Sequence, residues 1–331
     1  MTAPPNIRTR ANPRWRLRLL LALVALVAFA YLGWKFRKEM PRLLEAKPLG
    51  IALIVATFLP MRLLTSEVQR IGLRALGHVI STYESFMVSM INAYGNLLLP
   101  RAGLGLPAVY LKLKHAIPVA DFATVQVLPL TALQIATIGV TGVASLGAMR
   151  LLDRRPVDVR LLALFAAVAA GSVVGTLARF KVPDSWQNRP AQFLRRLSES
   201  WRRLGRSGHV ASTSVALHVG TLLLRGLRLQ IAFWSIGQPV GYLPAFVASL
   251  LADIAFFISI TPAALGFREG AVALAAGMLG ATTEVCVAAV FLDRIVYSIV
   301  IILTAQVGMW HLMRPVFHHT PTPLEVAAPV E

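Results

Sequence analysis

Long apolar runs separated by short groups of charged residues are the feature that most constrains how this chain can fold. A membrane-spanning helix needs about 20 predominantly apolar residues, and runs of that kind recur along most of the 331 residues. The mean hydropathy is +0.65. Charged residues make up 15% of the chain, against about a quarter in an average soluble domain. The sequence therefore predicts an integral membrane protein and argues against a water-soluble enzyme.

The apolar runs predict an all-α, polytopic helical bundle with about eight spans. The candidate spans are 17–36, 49–68, 78–99, 118–147, 159–178, 210–237, 242–260 and 283–313. We expect three segments: a basic, disordered N-terminal tail over 1–16, a transmembrane domain over 17–313, and a disordered C-terminal tail over 314–331. Within the transmembrane domain, two related halves are expected at about 49–147 and 210–313.

The charge of the chain is strongly positive, with 33 Lys and Arg against 15 Asp and Glu and a net charge of +18. A basic excess can indicate nucleic-acid binding, but here the charges lie between apolar runs. They are better interpreted as the basic loops of a membrane protein, so no nucleic-acid partner is expected. Arginines precede the first span, which predicts a cytoplasmic N-terminus in the cell inner membrane. The single cysteine, Cys286, excludes an internal disulfide and a multi-cysteine metal site.

The segment 179–209 contains eight basic and two acidic residues, a net charge of +6. Its apolar residues recur at helical spacing, which favours a basic amphipathic helix on an anionic membrane surface. A solvated loop that only fixes topology is an equal alternative, and both place the segment in the cytoplasm. An even number of spans must then separate it from the N-terminus, yet five are counted. Either 118–147 or 100–117 is therefore assigned wrongly.

Two stretches interrupt the apolar pattern in the same way. In each, a proline is followed by glycine, a helix too short to span, a break, and an acidic residue at the start of a long helix. Pro100 precedes Asp121 as Pro262 precedes Glu284, with spacings that agree within one residue. Backbone that lacks helical partners is tolerated in a membrane only inside protein or beside water. Paired interruptions of this kind indicate re-entrant hairpins at a transporter's binding site, with two ordinary loops as the alternative.

The residues around these breaks carry a resemblance to a known family. Pro262 with the run Gly266-Phe-Arg-Glu269, followed by Ala288-Ala-Val-Phe-Leu-Asp-Arg294, resembles the C-terminal signature of the lysylphosphatidylglycerol synthase transmembrane region, a flippase-like family. Tyr94-Gly-Asn-Leu-Leu-Leu-Pro-Arg-Ala-Gly103, with Tyr110 and Lys112, resembles its N-terminal signature. The likeness covers roughly residues 15 to 313.

The first signature departs from the family pattern, with Leu104 where the family has Glu and Leu128-Pro129 where it has a Glu-Arg pair. The resemblance implies translocation of a lipid or a lipid-linked saccharide. The aminoacyltransferase domain of the synthases is not part of the resemblance, so we expect no synthase activity.

Polar residues follow one face of the span 78–99. Ser81, Ser85, Ser89, Asn92 and Asn96 are spaced by three or four residues, and Glu84 lies beside them. We expect this stripe to face a cavity that leads to Arg101, with hydrogen bonding between helices as the alternative. Glu84 is a candidate for proton coupling.

The second half contains charges inside its spans, and such residues are functional candidates. Arg225 and Arg228 lie on one side of a helix and suit a lipid phosphate. The alternatives are that they reach the membrane interface or pair with Asp253. Asp253 is a candidate for proton coupling or, as we favour, the counter-ion of these arginines.

Adjacent helical residues point about 100° apart, so Arg268 and Glu269 are expected to pair across to the last helix. The expected pairs are Glu269 with Arg294 or Arg268 with Asp293. In the sharper interpretation, a substrate phosphate breaks and re-forms these pairs during transport. The predicted head-group residues are Asn92, Asn96, Arg101, Arg225, Arg228, Arg268, Glu269, Asp293 and Arg294.

The sequence contains no Walker motif, nucleophile triad or His-Glu-x-x-His motif. We therefore expect a transporter that uses no cofactor and no metal. Two rival functions remain open. One is a lipid-modifying transferase that uses Glu269 or Asp253 as a base. The other is a non-catalytic subunit that recruits an envelope-biosynthesis glycosyltransferase through 179–209.

Overall fold

Helices form every regular element in the part of the chain that the computed structural model describes. That part comprises residues 40–98, 102–127, 129–154, 156–177, 207–258, 264 and 266–317, with the isolated residues 192, 195 and 199. The all-α prediction is therefore confirmed for these residues. The first predicted span, 17–36, lies outside them, as does all but a few residues of the basic segment 179–209.

The helices follow the apolar runs. They are α1 (Met40–Leu44), α2 (Pro48–Ala75), α3 (Thr82–Leu98), α4 (Gly105–His115), α5 (Val119–Val127), α6 (Pro129–Leu152), α7 (Val159–Leu177), α8 (Gly208–Ser235), α9 (Tyr242–Ile258), α10 (Phe267–Leu274), α11 (Ala276–Leu279) and α12 (Thr283–Phe317). A short 3₁₀ turn, Ala102–Leu104, precedes α4.

Within the described ranges, four stretches of helix are long and apolar enough to cross a membrane: Pro48–Ala75, Val119–Leu152, Gly208–Ser235 and Thr283–Leu312. The apolar helices Val159–Ser172 and Tyr242–Ile258 are shorter. Helix α4, with 11 residues, rises only about 16 Å and is too short to span. The chain is thus an integral membrane protein with spanning helices of unequal length.

One predicted boundary differs from the structure, whereas the predicted span 118–147 is matched by the stretch Val119–Leu152. Helices α5 and α6 make up this stretch and flank Leu128, which lies outside the described residues. Helix α12 continues to Phe317, four residues past the predicted end of the transmembrane domain. Hydropathy indicates where an apolar run ends, whereas a helix extends beyond that run as long as its backbone hydrogen bonds form.

Helices α2 and α3 end and restart in the same way as helices α8 and α9. Helices α2 and α8 each have 28 residues, and α3 and α9 each have 17. After α2, Gly77 has a φ of +93° and the His78 N–H bonds to the Leu73 carbonyl. After α8, Gly237 has a φ of +81° and the Gln238 N–H makes the corresponding bond to Phe233. This is the helix C-cap in which a glycine with a positive φ follows the last turn.

Helices α2 and α8 pack against one another in opposite directions. The Lys47 N–H, just before α2, donates to the carbonyl of Ser235 at the end of α8 over 3.0 Å. Further along, Arg228 contacts Met61. We call the end of the bundle where α2 ends the His78 end, and the end where α8 ends the Gln238 end.

Among the residues that the structure describes, three groups of buried side chains form the core. One lies toward the His78 end and includes Leu73, Ile80 and Leu312. A larger one joins α6, α8, α9, α10 and α12. Between them a smaller group links the two at the middle of the bundle; it consists of Phe58, Met61, Met90, Ile301 and Ala305. The ionisable residues described next lie beside this middle group.

Candidate functional site

Eight ionisable residues converge inside the bundle. We call them the buried charge cluster: Arg62, Arg225, Arg228, Asp253, Arg268, Glu269, Asp293 and Arg294. They come from α2, α8, α9, α10 and α12. Six of them are buried. Because charges are costly away from water, they need partners within the protein.

Two ion pairs join α8 to its neighbours. Arg228 holds Asp293 of α12 with two nitrogens, at 2.5 Å from Nε to Oδ1 and 3.1 Å from Nη2 to Oδ2. Arg225 Nη1 lies 2.5 Å from Asp253 Oδ1 on α9. The Arg225 side chain is 22% exposed and that of Asp253 only 4%. Asp253 is therefore the counter-ion of one of the two arginines, the role favoured from the sequence.

A third ion pair holds the short helix α10 against α12. Arg294 pairs with Glu269 Oε1, one of the two cross-pairs expected from the sequence. The other carboxylate oxygen of Glu269 accepts the N–H of Gly266 over 2.8 Å. Gly266 has a φ of +82°, a conformation that glycine adopts without strain. Glu269 thus caps α10 and anchors it at the same time.

Arg268 and Arg62 have no carboxylate partner within the described ranges. Arg268 forms no hydrogen bond there and its buried Nε has no acceptor, although Asp293 and Asp253 are within electrostatic range. The expected pair of Arg268 with Asp293 is therefore not formed; Asp293 bonds Arg228 instead. Arg62 donates from Nη2 to the carbonyl and hydroxyl of Ser89, at 2.6 and 3.0 Å.

A small cavity lies among these charges, with a volume of about 10 Å³, which is room for one water molecule. Its polar lining comprises Arg225, Arg228, Ser249, Asp253, Arg268 and Asp293. Asp253 Oδ2 and Arg268 Nε are both buried and unpartnered here among the described residues. A water molecule can accept from one and donate to the other, so the cavity suits a polar ligand.

The sequence matches the family described as the lysylphosphatidylglycerol synthase TM region over residues 15–305. The match covers most of the 331 residues. This chain belongs to that family. No curated protein and no solved structure gives a significant match. Membership relates this family member to membrane proteins of lipid modification or lipid transport.

The polar stripe of this family member has protein partners along much of its length. The Ser85 hydroxyl donates to the carbonyl of Ser66 over 2.7 Å, and Ser89 accepts from Arg62. For these two serines the structure has the hydrogen bonding between helices that was the alternative to a cavity. The expected cavity lining is wrong for both, because helix α3 turns this face toward α2.

The two asparagines of the stripe organise the turn before α4. Asn96 donates to Asn92 Oδ1 over 3.2 Å and accepts the N–H of Gly103 over 3.1 Å. A Cβ atom at Gly103 would lie 2.0 Å from the Asn92 carbonyl oxygen, so the close approach requires glycine. Arg101, the neighbouring predicted head-group residue, lies outside the described residues.

Glu84 lies at the His78 end, apart from the buried charge cluster and outside the four candidate spanning helices. Its Oε1 accepts from Lys114 Nζ at 2.5 Å and from Tyr110 at 3.0 Å. Burial raises the pKa of Glu84, but the hydrogen bonds of Lys114, Ser81 and Tyr110 outweigh it and lower the pKa to about 2. Nearby, His78 Nε2 lies 2.8 Å from Asp121. These contacts tie α4 to the first turn of α3, and α5 to the loop before α3.

Two residues beside the buried charge cluster were missed from the sequence. Arg62 lies within the predicted span 49–68, and a lone arginine in an apolar run was the available signal. Tyr297 lies 5.3 Å below the Arg228 guanidinium and packs edge-on against Phe58 at 5.3 Å. No sequence signal distinguished this tyrosine from other aromatic residues of the spans. Among the described residues, no group of acidic, cysteine or histidine side chains suited to a metal is present.

Proposed function

We propose that this protein is a flippase-like transporter, which moves the head group of a lipid or lipid-linked saccharide across the cytoplasmic membrane. The observation that carries the proposal is the excess of arginine in the buried charge cluster. Five guanidinium groups face three carboxylates. A guanidinium binds phosphate oxygens through paired hydrogen bonds, so the cluster is chemically suited to an anionic head group.

Two inverted halves are the architecture that we propose. Each boundary of α8 and α9 lies 160 positions after the boundary of α2 and α3. The related helices α2 and α8 run in opposite directions, as their contacts at Lys47 with Ser235 and at Met61 with Arg228 require. Inverted repeats with interrupted helices are a recurrent transporter design.

Re-entrant hairpins remove the conflict in the count of spans. Helix α3 has 17 residues and contacts α4, which is too short to span. We propose that α3 enters the membrane and α4 returns to the same side. Four spans then separate the N-terminus from 179–209, and both lie in the cytoplasm, where the basic segment meets an anionic lipid surface. Helices α9 and α10 form the equivalent hairpin from the other side.

The ion pairs provide the means of exchange. While no head group is present, the carboxylates of Asp253 and Asp293 hold Arg225 and Arg228. A phosphate that enters the cluster replaces these carboxylates as the partner of the arginines. Moving a charged head group through hydrocarbon is slow because it must lose its water. Partners within the bundle lower that barrier while the acyl chains stay in lipid. No chemical step is needed, and we propose no enzymatic activity.

A liposome assay tests the proposal. The protein is reconstituted with fluorescent phosphatidylglycerol, and dithionite quenching measures how fast the probe leaves the inner leaflet. We expect the wild type to accelerate exchange, and Arg228→Gln to slow it at least tenfold. The exposed Arg74, on α2, provides the matched control Arg74→Gln. Equal rates for wild type, Arg228→Gln and empty liposomes would refute translocation.

The rival functions give different results in the same preparation. A transferase would yield a new lipid product, detectable by mass spectrometry when a head-group donor is added. A recruiting subunit would lose its function in cells when 184–204 is deleted, yet tolerate Arg228→Gln. We expect neither result.

A further inference from the structure

The buried charge cluster is not electrically balanced. Its three carboxylates are each held by one arginine: Asp253 by Arg225, Asp293 by Arg228 and Glu269 by Arg294. Arg62 and Arg268 are left over. Within the described ranges, Arg62 bonds only the neutral Ser89, and Arg268 forms no hydrogen bond or ion pair. The cluster therefore carries a surplus of two positive charges.

This surplus destabilises the interior of a membrane protein, because no ion pair offsets the free energy of desolvating an unpaired buried charge. Arg62 is only 8% exposed, and the Nε atoms of both Arg62 and Arg268 are buried without an acceptor in the described part of the chain. An anion that bound here could accept hydrogen bonds from the free N–H donors of both guanidinium groups.

Tyr297 supplies a further donor beside the buried charge cluster. Its ring lies 5.3 Å below the Arg228 guanidinium. Arg62, Arg268 and Arg294 are all within electrostatic range of it. Among the residues that the structure describes, none accepts a hydrogen bond from its hydroxyl, whereas Tyr110 donates to Glu84. A phenol hydroxyl in a field of arginines is placed to donate to an anionic oxygen.

Building on the proposed function, we infer that Arg62, Arg268 and Tyr297 bind a phosphomonoester that carries two negative charges, in preference to a phosphodiester that carries one. The lipid form of this chemistry is a lipid monophosphate. A dianion cancels the surplus of the cluster, a phosphodiester leaves one positive charge over, and a zwitterionic head group leaves two.

Space and charge place this ligand in the cluster rather than in the larger cleft of the protein. That cleft, about 630 Å³, lies at the Gln238 end and is lined by uncharged residues, among them Gly237, Gln238, Gly277 and Thr282. The 10 Å³ cavity is lined by charged residues, Arg268 among them, and has room for only one water molecule. A phosphate can therefore bind among Arg62, Arg268 and Tyr297 only when the surrounding helices separate.

The first test uses the wild-type protein in detergent at pH 8 and three lipids with identical acyl chains. These are phosphatidic acid, a phosphomonoester; phosphatidylglycerol, a phosphodiester; and phosphatidylethanolamine, a zwitterion. We expect phosphatidic acid to bind at least tenfold more tightly than either of the others. The second pKa of a phosphomonoester is about 6, so the preference should shrink severalfold at pH 5, where the head group has one charge. Equal affinities at pH 8 would overturn the inference.

The second test changes the surplus itself. Arg62→Gln and Arg268→Gln each reduce the surplus from two positive charges to one. Each should therefore weaken phosphatidic acid binding at least tenfold and change the affinity for phosphatidylglycerol by less than threefold. Tyr297→Phe should weaken phosphatidic acid binding about threefold. Arg74→Gln is the matched control and should change neither affinity. A preference that survives both arginine changes would overturn the assignment. Because the pH arm needs no substitution, it decides the matter even where a variant does not fold.

Two further experiments are needed. One distinguishes a lipid from free phosphate as the ligand, and the other distinguishes the binding inference from the proposed transport. Inorganic phosphate at pH 8 should not displace phosphatidic acid at concentrations up to 10 mM; displacement would overturn the lipid as the source. Translocation is measured for the same lipids in liposomes. If phosphatidic acid binds preferentially and nothing is translocated, the proposed transport fails and the binding site stands. If all anionic lipids are bound and moved alike, transport stands and the inference fails.

Discussion

Gly50, in the first turn of α2, lies directly against Ser235 in the last turn of α8. A Cβ atom added at Gly50 would lie 1.8 Å from the Ser235 Oγ and 2.7 Å from its Cβ. The same two helix ends are joined by the hydrogen bond from the Lys47 N–H to the Ser235 carbonyl. The absence of a side chain at Gly50 therefore lets α2 and α8 meet in opposite directions.

Filling this contact should destabilise the bundle. We expect Gly50→Ala to cost about 1–3 kcal/mol, the range for overpacked interiors, because the Ser235 side chain must give way. Thermal unfolding in detergent measures the change in melting temperature. Gly171→Ala is the matched control, since a Cβ there meets open space on α7. The double variant Gly50→Ala/Ser235→Gly should recover much of the loss; no recovery would argue against a direct contact.

The proposed inverted arrangement predicts which side of the membrane each turn faces. Val79 follows α2 and Pro239 follows α8, 160 positions later, and both are exposed. In a Cys286→Ser background, Val79→Cys should react with an impermeant maleimide only from the cytoplasm. Pro239→Cys should react only from the outside. Labelling of both positions from one side would rule out inverted halves.

Helix positions in this protein were largely predictable from sequence, but the partners of the charges were not. Apolar length indicates where helices run, because it is a local property. Asp293 was expected beside Arg268 yet bonds Arg228, since the choice depends on how α8 and α12 are rotated against one another. Rotation is a tertiary property that one sequence does not reveal. The same reason explains Ser85 and Ser89, which face α2 instead of a cavity.

The contacts of Glu84 predict a stability that depends on pH. Its pKa is lowered from 4.5 to about 2, so the carboxylate stabilises the fold above the unfolded value. That contribution is lost as the pH falls from about 4.5 toward 2. Glu84→Gln should therefore lower the melting temperature at pH 7, and the difference from wild type should shrink between pH 5 and pH 3. The exposed Glu45 provides the control Glu45→Gln. A difference that stays constant with pH would contradict this role.

Substitutions at Glu269 and Arg294 test whether their ion pair is only structural or also acts in transport. Removing one partner leaves the other charged and buried, so Glu269→Gln should cost about 3–5 kcal/mol; its amide oxygen still accepts the Gly266 N–H. Glu269→Gln/Arg294→Gln removes both charges and should regain most of the melting temperature. Exchange of fluorescent lipid in liposomes should nevertheless remain at least tenfold slower than in wild type. If the double variant restores exchange together with stability, the pair serves only to hold α10 against α12.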